Sequence, residues 1–192
     1  MPQRVNIREY VEKLKGEGIL QKISQADFNE PRAIFIPCAD MDRYDDWYSH
    51  MKFLFGRPPH PLSQNGGALQ ITLNPLRKMI FIEDAEDALI AKKANQIVVL
   101  SHWPCLIAGK HNMFPDEVIR RTVNAAALVR GYFNSHQKFQ MNPIRVFAHF
   151  HADYEDALIQ PEIDRPMETY SINEQTFLKQ GLPDPLNQMS YA

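Results

Sequence analysis

The hydrophobic and polar positions along the chain change between helical and strand-like spacings. Apolar side chains stand among charged ones at helical intervals over residues 7–20, and Gly16 and Gly18 close this pattern, which predicts a short amphipathic helix. Residues 33–36 form an apolar run that is short enough for a buried strand. Residues 96–101 are the strongest strand prediction, because they are apolar, rich in β-branched side chains and bounded by polar residues.

The patterns in the middle of the chain are less regular. A loop-rich stretch over residues 55–75 encloses one predicted strand, residues 69–73. Residues 79–82 fit either another strand or the lead-in to a helix. Asp84 is a suitable N-cap for a helix that ends near Asn95.

The second half repeats the alternation of helix and strand. A long helix is predicted from Pro115 to Gly131, with acidic residues in its first turn, and a further strand over residues 144–150. Strands that alternate with helices predict an α/β fold with a mostly parallel central sheet flanked by helices. We expect a single domain over residues 1–192, made of an N-terminal helical arm (1–27), a core (28–155) and a polar tail (156–192) that wraps a partner subunit.

Composition excludes several classes of protein. Hydrophobic residues make up 44% of the chain, and 21 Lys and Arg against 23 Asp and Glu give a net charge of −2. This near balance argues against a broad basic surface for nucleic acid. No apolar run is long enough to span a bilayer, and no signal-peptide core follows the N-terminus. We therefore expect a cytoplasmic protein that binds neither nucleic acid nor a membrane.

The candidate chemistry lies at the ends of two predicted strands. Cys38 and Cys105 are the only two cysteines, and each follows an apolar, strand-like run. Because the carboxyl ends of parallel strands meet at one edge of a sheet, the two thiols can converge. His102 stands three positions before Cys105, a spacing that lets an imidazole and a thiolate share one cation. Two thiolates and one imidazole favour zinc and leave a fourth position for water. Asp40 could occupy that position itself or orient the water in it.

Other interpretations of these residues stay open. The two cysteines could be buried thiols beside a loop histidine, and Asp40 could be a helix N-cap. His149 and His151 face the same way on a predicted strand and could share a metal, as in amidohydrolases. This chain is short for an amidohydrolase barrel, which favours an exposed or hydrogen-bonded pair instead.

The motifs resemble those of the β-class carbonic anhydrases. The signature of that family pairs Cys-x-Asp-x-Arg after the first strand with His-x-x-Cys after a later one. The chain has Cys38-Ala39-Asp40 and His102-Trp103-Pro104-Cys105 in the same order. Asn29-Glu30-Pro31-Arg32 is similar to the segment that precedes the first strand in many members, and the resemblance covers roughly residues 28–155.

The resemblance implies a function for each of these residues. It implies Zn²⁺ on the Cys-His-Cys set and reversible hydration of carbon dioxide to bicarbonate by zinc-bound hydroxide. Asp40 would accept a hydrogen bond from the hydroxide, Arg43 would hold Asp40 away from the zinc, and Asn29 would donate to a substrate oxygen. A homodimer or higher homo-oligomer is also implied, with residues 7–20 as an exchanged arm.

Three positions depart from the family pattern. The family arginine falls on Asp42, so that Arg43 stands one residue later, and the glycine after the second cysteine is Leu106. Gln64-Asn65-Gly66-Gly67 is the nearest equivalent of the family's Arg-Asn-x-Gly turn. Two alternatives therefore stay open: a zinc-binding protein without hydratase activity that serves in binding or regulation, and a hydrolase of carbon disulfide or carbonyl sulfide on the same fold.

Overall fold

The computed structural model describes residues 7–23, 32–39, 44–152 and 168–180. Within these ranges six strands form one sheet: β1 (Leu20–Lys22), β2 (Ile34–Ile36), β3 (His60–Pro61), β4 (Gln96–Trp103), β5 (Arg145–Ala152) and β6 (Glu168–Ile172). Their order across the sheet is β1-β6-β5-β4-β2-β3. The four strands from β5 to β3 pair in parallel, whereas β6 is antiparallel to both β5 and β1.

Helices flank this sheet. The described residues contain α1 (Ile7–Gly16), α2 (Tyr44–Phe55), α3 (Ala68–Leu73), α4 (Pro75–Lys92), α5 (Leu106–Lys110), α6 (Pro115–Ser135) and α7 (Glu174–Lys179). The predicted α/β fold with a mostly parallel sheet is confirmed. None of these helices combines the length and the apolar character that crossing a membrane requires.

The central strands are apolar on both faces because both faces are covered. Ile97 and Val99 of β4 pack in the larger core, together with α3, α4 and α6. Val98 and Leu100 point to the opposite face and pack in a smaller core with Trp47 of α2. This double burial explains the continuous apolar run from which the strand was predicted.

The segment between β3 and β4 is helical, which corrects one sequence prediction and decides between the alternatives of another. Residues 69–73, predicted as a strand, belong to α3. Residues 79–82 lie inside α4, so the helical alternative holds for them. The side chain of Asn74 caps α4 by accepting hydrogen bonds from the amides of Leu76 and Arg77 at 3.0 and 3.2 Å. Pro75 occupies the first turn, so the helix begins well before the predicted cap at Asp84.

The N-terminal helix belongs to the core of its own chain. It ends at Gly16, and Leu20, predicted as its last apolar residue, begins β1 instead. Ile7, Val11 and Leu14 are buried in the larger core. The apolar face that suggested an exchanged arm is therefore covered within the chain.

Part of the segment that was expected to wrap a partner subunit packs within its own chain. β6 inserts between β1 and β5, and Phe177 of α7 is buried. Arg130 of α6 pairs with both carboxylate oxygens of Glu174, at 3.1 and 2.7 Å, and also donates to the Val146 carbonyl at 2.9 Å. These contacts fasten α7 to the core.

Candidate metal centre

Three possible metal ligands meet where β2 and β4 end. Cys38 follows β2, His102 lies near the end of β4, and Cys105 follows that strand. One ligand atom from each residue lies within 4.8 Å of those of the other two, and all three residues are buried. β2 and β4 are parallel neighbours, with Ile34 opposite Ile97, so their carboxyl ends lie side by side. The convergence predicted from the sequence is present in the structure.

The chain between His102 and Cys105 turns at once from strand to helix. The peptide bond from Trp103 to Pro104 is cis, and Cys105 occupies the N-cap position of α5. The Ala108 amide of α5 is among the groups that lower the pKa of the Cys105 thiol. Leu106 directly follows Cys105 and is exposed, with 59% of its surface accessible.

Cys38 and His102 both lower the pKa of the Cys105 thiol. The largest cause is a hydrogen bond that the Cys38 thiol donates to Cys105. Burial opposes this change, whereas hydrogen bonding and charge from His102 lower the pKa further. These interactions favour the thiolate, which is the form of cysteine that binds metals.

A turn from the segment before α3 contacts Cys38. Cys38 forms a parallel bridge with Gln64, and the Ala39 amide donates to the Gln64 carbonyl at 3.0 Å. Two residues farther along, the Gly66 amide donates to the Cys38 Sγ at 3.0 Å. The end of β2 is thus held by backbone on both sides of the ligand.

Both histidines of β5 are buried. Burial lowers the pKa of His149 from 6.5 to about 3, so this imidazole is neutral over the whole physiological range. His151 Nδ1 lies 2.7 Å from the Thr169 Oγ1 on β6. His151 is the register partner of His102 on β4, but neither β5 histidine belongs to the three-ligand group. Of the two predicted states, hydrogen bonding holds for His151, and surface exposure is wrong for both.

Sequence reasoning missed a polar contact that supports the histidine ligand. Thr122 Oγ1 of α6 lies 2.8 Å from the Val118 carbonyl oxygen and 2.5 Å from Ser101 Oγ, within hydrogen-bonding distance of both. Ser101 immediately precedes His102, so this buried pair ties the end of β4 to the longest helix. The available signal was a hydroxyl residue in an otherwise apolar strand and another on an apolar helix face.

Asn29, Asp40 and Arg43 lie outside the described residues. The roles predicted for them, substrate binding by Asn29 and orientation of water by the Asp40–Arg43 dyad, therefore stay predictions. Asp42 lies outside as well.

Comparison with known proteins adds no relative. No protein-family model matches the chain, and no curated protein matches it. The function must therefore be argued from the chemistry of the site.

The three ligands suit a thiophilic metal ion. Two sulfur atoms and one imidazole nitrogen are soft or intermediate donors, which exclude Mg²⁺ and Ca²⁺ as preferred occupants. Their burial limits the competition of bulk water with these ligands for the ion. Among the described residues they supply three corners of a tetrahedron, which leaves one for water or a further ligand. An open position is typical of catalytic rather than structural metal sites.

Proposed function

We propose that this protein is a zinc enzyme that hydrates carbon dioxide reversibly to bicarbonate, with a fold like that of the β-class carbonic anhydrases. The observation that carries the proposal is the buried group of Cys38, His102 and Cys105 at the carboxyl ends of parallel strands. The order of the two motifs along the chain, which resembles that family, supports the choice of reaction.

The residues of the site would have separate roles in binding the metal, orienting water and binding the substrate. Cys38 and Cys105 would bind the ion as thiolates, and His102 as a neutral imidazole. A zinc ion held in this way supplies Lewis acidity, which lowers the pKa of water at its open position towards neutrality. Asp40 would accept a hydrogen bond from that water and orient its lone pair towards the substrate carbon. Asn29 would donate to a substrate oxygen.

A combined metal and activity assay tests this function. The purified protein should contain about one zinc per chain, and stopped-flow carbon dioxide hydration should rise with pH. Cys105→Ser should lose most of the zinc and the activity, because a serine hydroxyl is a far poorer zinc ligand than a thiolate. His111→Ala, at an exposed position, should change neither. Absence of zinc together with two freely titratable thiols would refute the proposal.

A zinc protein without hydratase activity is the second candidate. Asp42 at the family arginine position and the exposed side chain of Leu106 beside Cys105 support it. Full zinc content with hydration at the uncatalysed rate would favour this candidate. Release of hydrogen sulfide from carbon disulfide or carbonyl sulfide would instead favour the hydrolase alternative.

A further inference from the structure

The turn formed by Gln64, Asn65, Gly66 and Gly67 is closely packed against the ends of both ligand-bearing strands. Gly66 and Gly67 have φ angles of +84° and +44°, which side-chain-bearing residues rarely adopt. The Gly67 amide donates to the Gln64 carbonyl at 2.9 Å, which closes the turn. These φ angles and this hydrogen bond define the direction of the intervening Gly66 amide.

Gly67 fits between β2 and β4 only because it has no side chain. A Cβ at this position would lie 2.8 Å from the Cys38 nitrogen, 2.9 Å from the Leu100 oxygen and 3.0 Å from the Pro37 carbonyl carbon. All three neighbours are backbone atoms, which cannot rotate away. Leu100 stands two residues before His102, so the turn is in contact with the backbone near two of the three ligands.

Gly66 borders the third ligand through α5. A Cβ here would meet the Ile107 side chain at 2.9 Å, and Ile107 follows Cys105 by two residues. The same residue donates its amide to Cys38 Sγ at 3.0 Å in a buried environment. Hydrogen bonds to an ionised acceptor are stronger than neutral ones, and a buried thiolate gains most from such a donor.

We propose that the Gly66 amide is a positioning group of the metal centre. When Cys38 loses its proton to bind a metal ion, this amide donates a hydrogen bond to the thiolate and holds it in ligating orientation. The glycine pair is required for this, because the turn must approach β2, β4 and α5 at once. The bond also withdraws electron density from the sulfur, which increases the Lewis acidity of the bound ion. This inference rests on the metal site of the proposed function but not on the reaction that the site catalyses.

Cadmium-113 NMR of the unmodified chain tests the bond directly. In ¹⁵N-labelled protein loaded with ¹¹³Cd²⁺, the metal should show a scalar coupling to the Gly66 amide proton, transmitted through Cys38 Sγ. The coupling should be absent from the amides of Gly56 and Gly109, which donate to the carbonyls of Phe53 and Cys105 instead of to a sulfur. A bound ¹¹³Cd²⁺ without coupling to an assigned Gly66 amide would overturn the proposal.

Three glycine variants separate the hydrogen bond from backbone strain. Gly66→Ala should weaken metal binding by about 10–100-fold in a chelator competition, which is the usual effect of losing an outer hydrogen bond to a ligand. Gly56→Ala carries similar strain, with a φ of +66° and open space around the new methyl, and should bind metal as the parent does. Gly109→Ala adds a methyl in open space within α5 and should also have no effect.

Unaltered affinity in a folded Gly66→Ala variant would contradict the proposal. If that variant does not fold, Ile107→Ala added to it removes the closest atom that the methyl meets, Ile107 Cγ1 at 2.9 Å, and leaves contacts of 3.1 and 3.2 Å. The same affinity loss is expected of this double variant. Coupling to Gly66 without carbon dioxide hydration would refute the proposed reaction alone, and hydration without the coupling would refute this inference alone. A chain that binds no cadmium would refute both.

Discussion

At the scale of single residues, burial determines the protonation state of His149. His149 lies on the face of β5 that bears Phe147, and its ring centroid is 6.5 Å from that ring. Desolvation is the whole cause of its depressed pKa of about 3. A buried imidazole that stays neutral lowers the stability of the folded state in acid, because the unfolded chain then binds a proton that the native chain excludes.

His149 should make the protein sensitive to acid. Between pH 6.5 and about 3 the unfolded state binds one more proton at this residue than the folded state, so stability falls as pH falls. Through this residue the free energy of unfolding falls by up to about 1.4 kcal/mol for each pH unit of acidification. Denaturant unfolding at several pH values should show a smaller slope for His149→Gln than for the parent, whereas His111→Gln at an exposed position should keep the parental slope. Equal slopes in all three chains would contradict this role of His149.

The predicted dyad of Asp40 and Arg43 can be tested by activity. Arg43→Ala should suppress carbon dioxide hydration strongly, because an unrestrained Asp40 carboxylate competes with water for the open metal position. Stopped-flow assays at equal zinc content measure the hydration rate. Arg57→Ala, the same substitution at an arginine outside the dyad, is the control. Hydration that is indifferent to substitution of both Asp40 and Arg43 would show that another group orients the water.

At the scale of elements, local caps and tertiary burial together decide between helix and strand. Residues 69–73 alternate in a way that suits a strand, yet Ala68, Leu69 and Ile71 are buried on a short helix. The informative signal was the Asn74-Pro75 pair, which both ends α3 and begins α4. A helix cap can be recognised in the sequence. Whether the apolar run beside it becomes helix or strand depends on what that run packs against.

Loss of the Asn74 cap should destabilise the protein. Asn74→Ala removes the acceptor for two amides of the first turn of α4 and should cost about 1 kcal/mol of unfolding free energy. Asn124→Ala, the same change at an exposed position inside α6, should be neutral or slightly stabilising, since alanine favours helix interiors. Denaturant midpoints at constant m-value report both effects. Equal destabilisation of the two variants would contradict the capping role.

At the scale of the whole molecule, the two ends of the chain complete one sheet. β1 pairs only with β6 among the described strands, with Leu20 opposite Ile172, and β6 pairs with β5. The antiparallel edge is therefore built from segments that were expected to contact another subunit. Assembly into a dimer stays a prediction, which light scattering would test.

Leu14→Ala distinguishes packing within the chain from packing on a partner. Leu14 is 3% exposed in the core of its own chain, and its truncation should cost about 2–5 kcal/mol. Because the lost contacts are intramolecular, the loss should not depend on protein concentration. Lys13→Ala on the exposed face of α1 should have little effect, since its ion pair with Glu17 lies at the surface. A destabilisation that disappears at high concentration would instead support the exchanged arm.

The residue types are sufficient to predict which side chains meet at the candidate metal centre and the sheet edge on which they lie. Cys38 and Cys105 each follow an apolar run, His102 has the spacing of a shared ligand, and parallel strands bring such ends together. This convergence follows from the residue types and from a general property of parallel sheets, so it can be predicted without knowledge of the tertiary contacts.

Long-range contacts establish the rest, because burial and register are properties of segments that meet in space. The depressed pKa of His149 depends on what covers β5, and the Gly66 hydrogen bond depends on a turn 28 residues from Cys38. The same is true of β6, whose polar sequence becomes part of the sheet only because β1 and β5 offer it backbone partners on both sides. The sequence of a segment gives no sign of the strands that will pair with it, so these partners are known only from the folded structure.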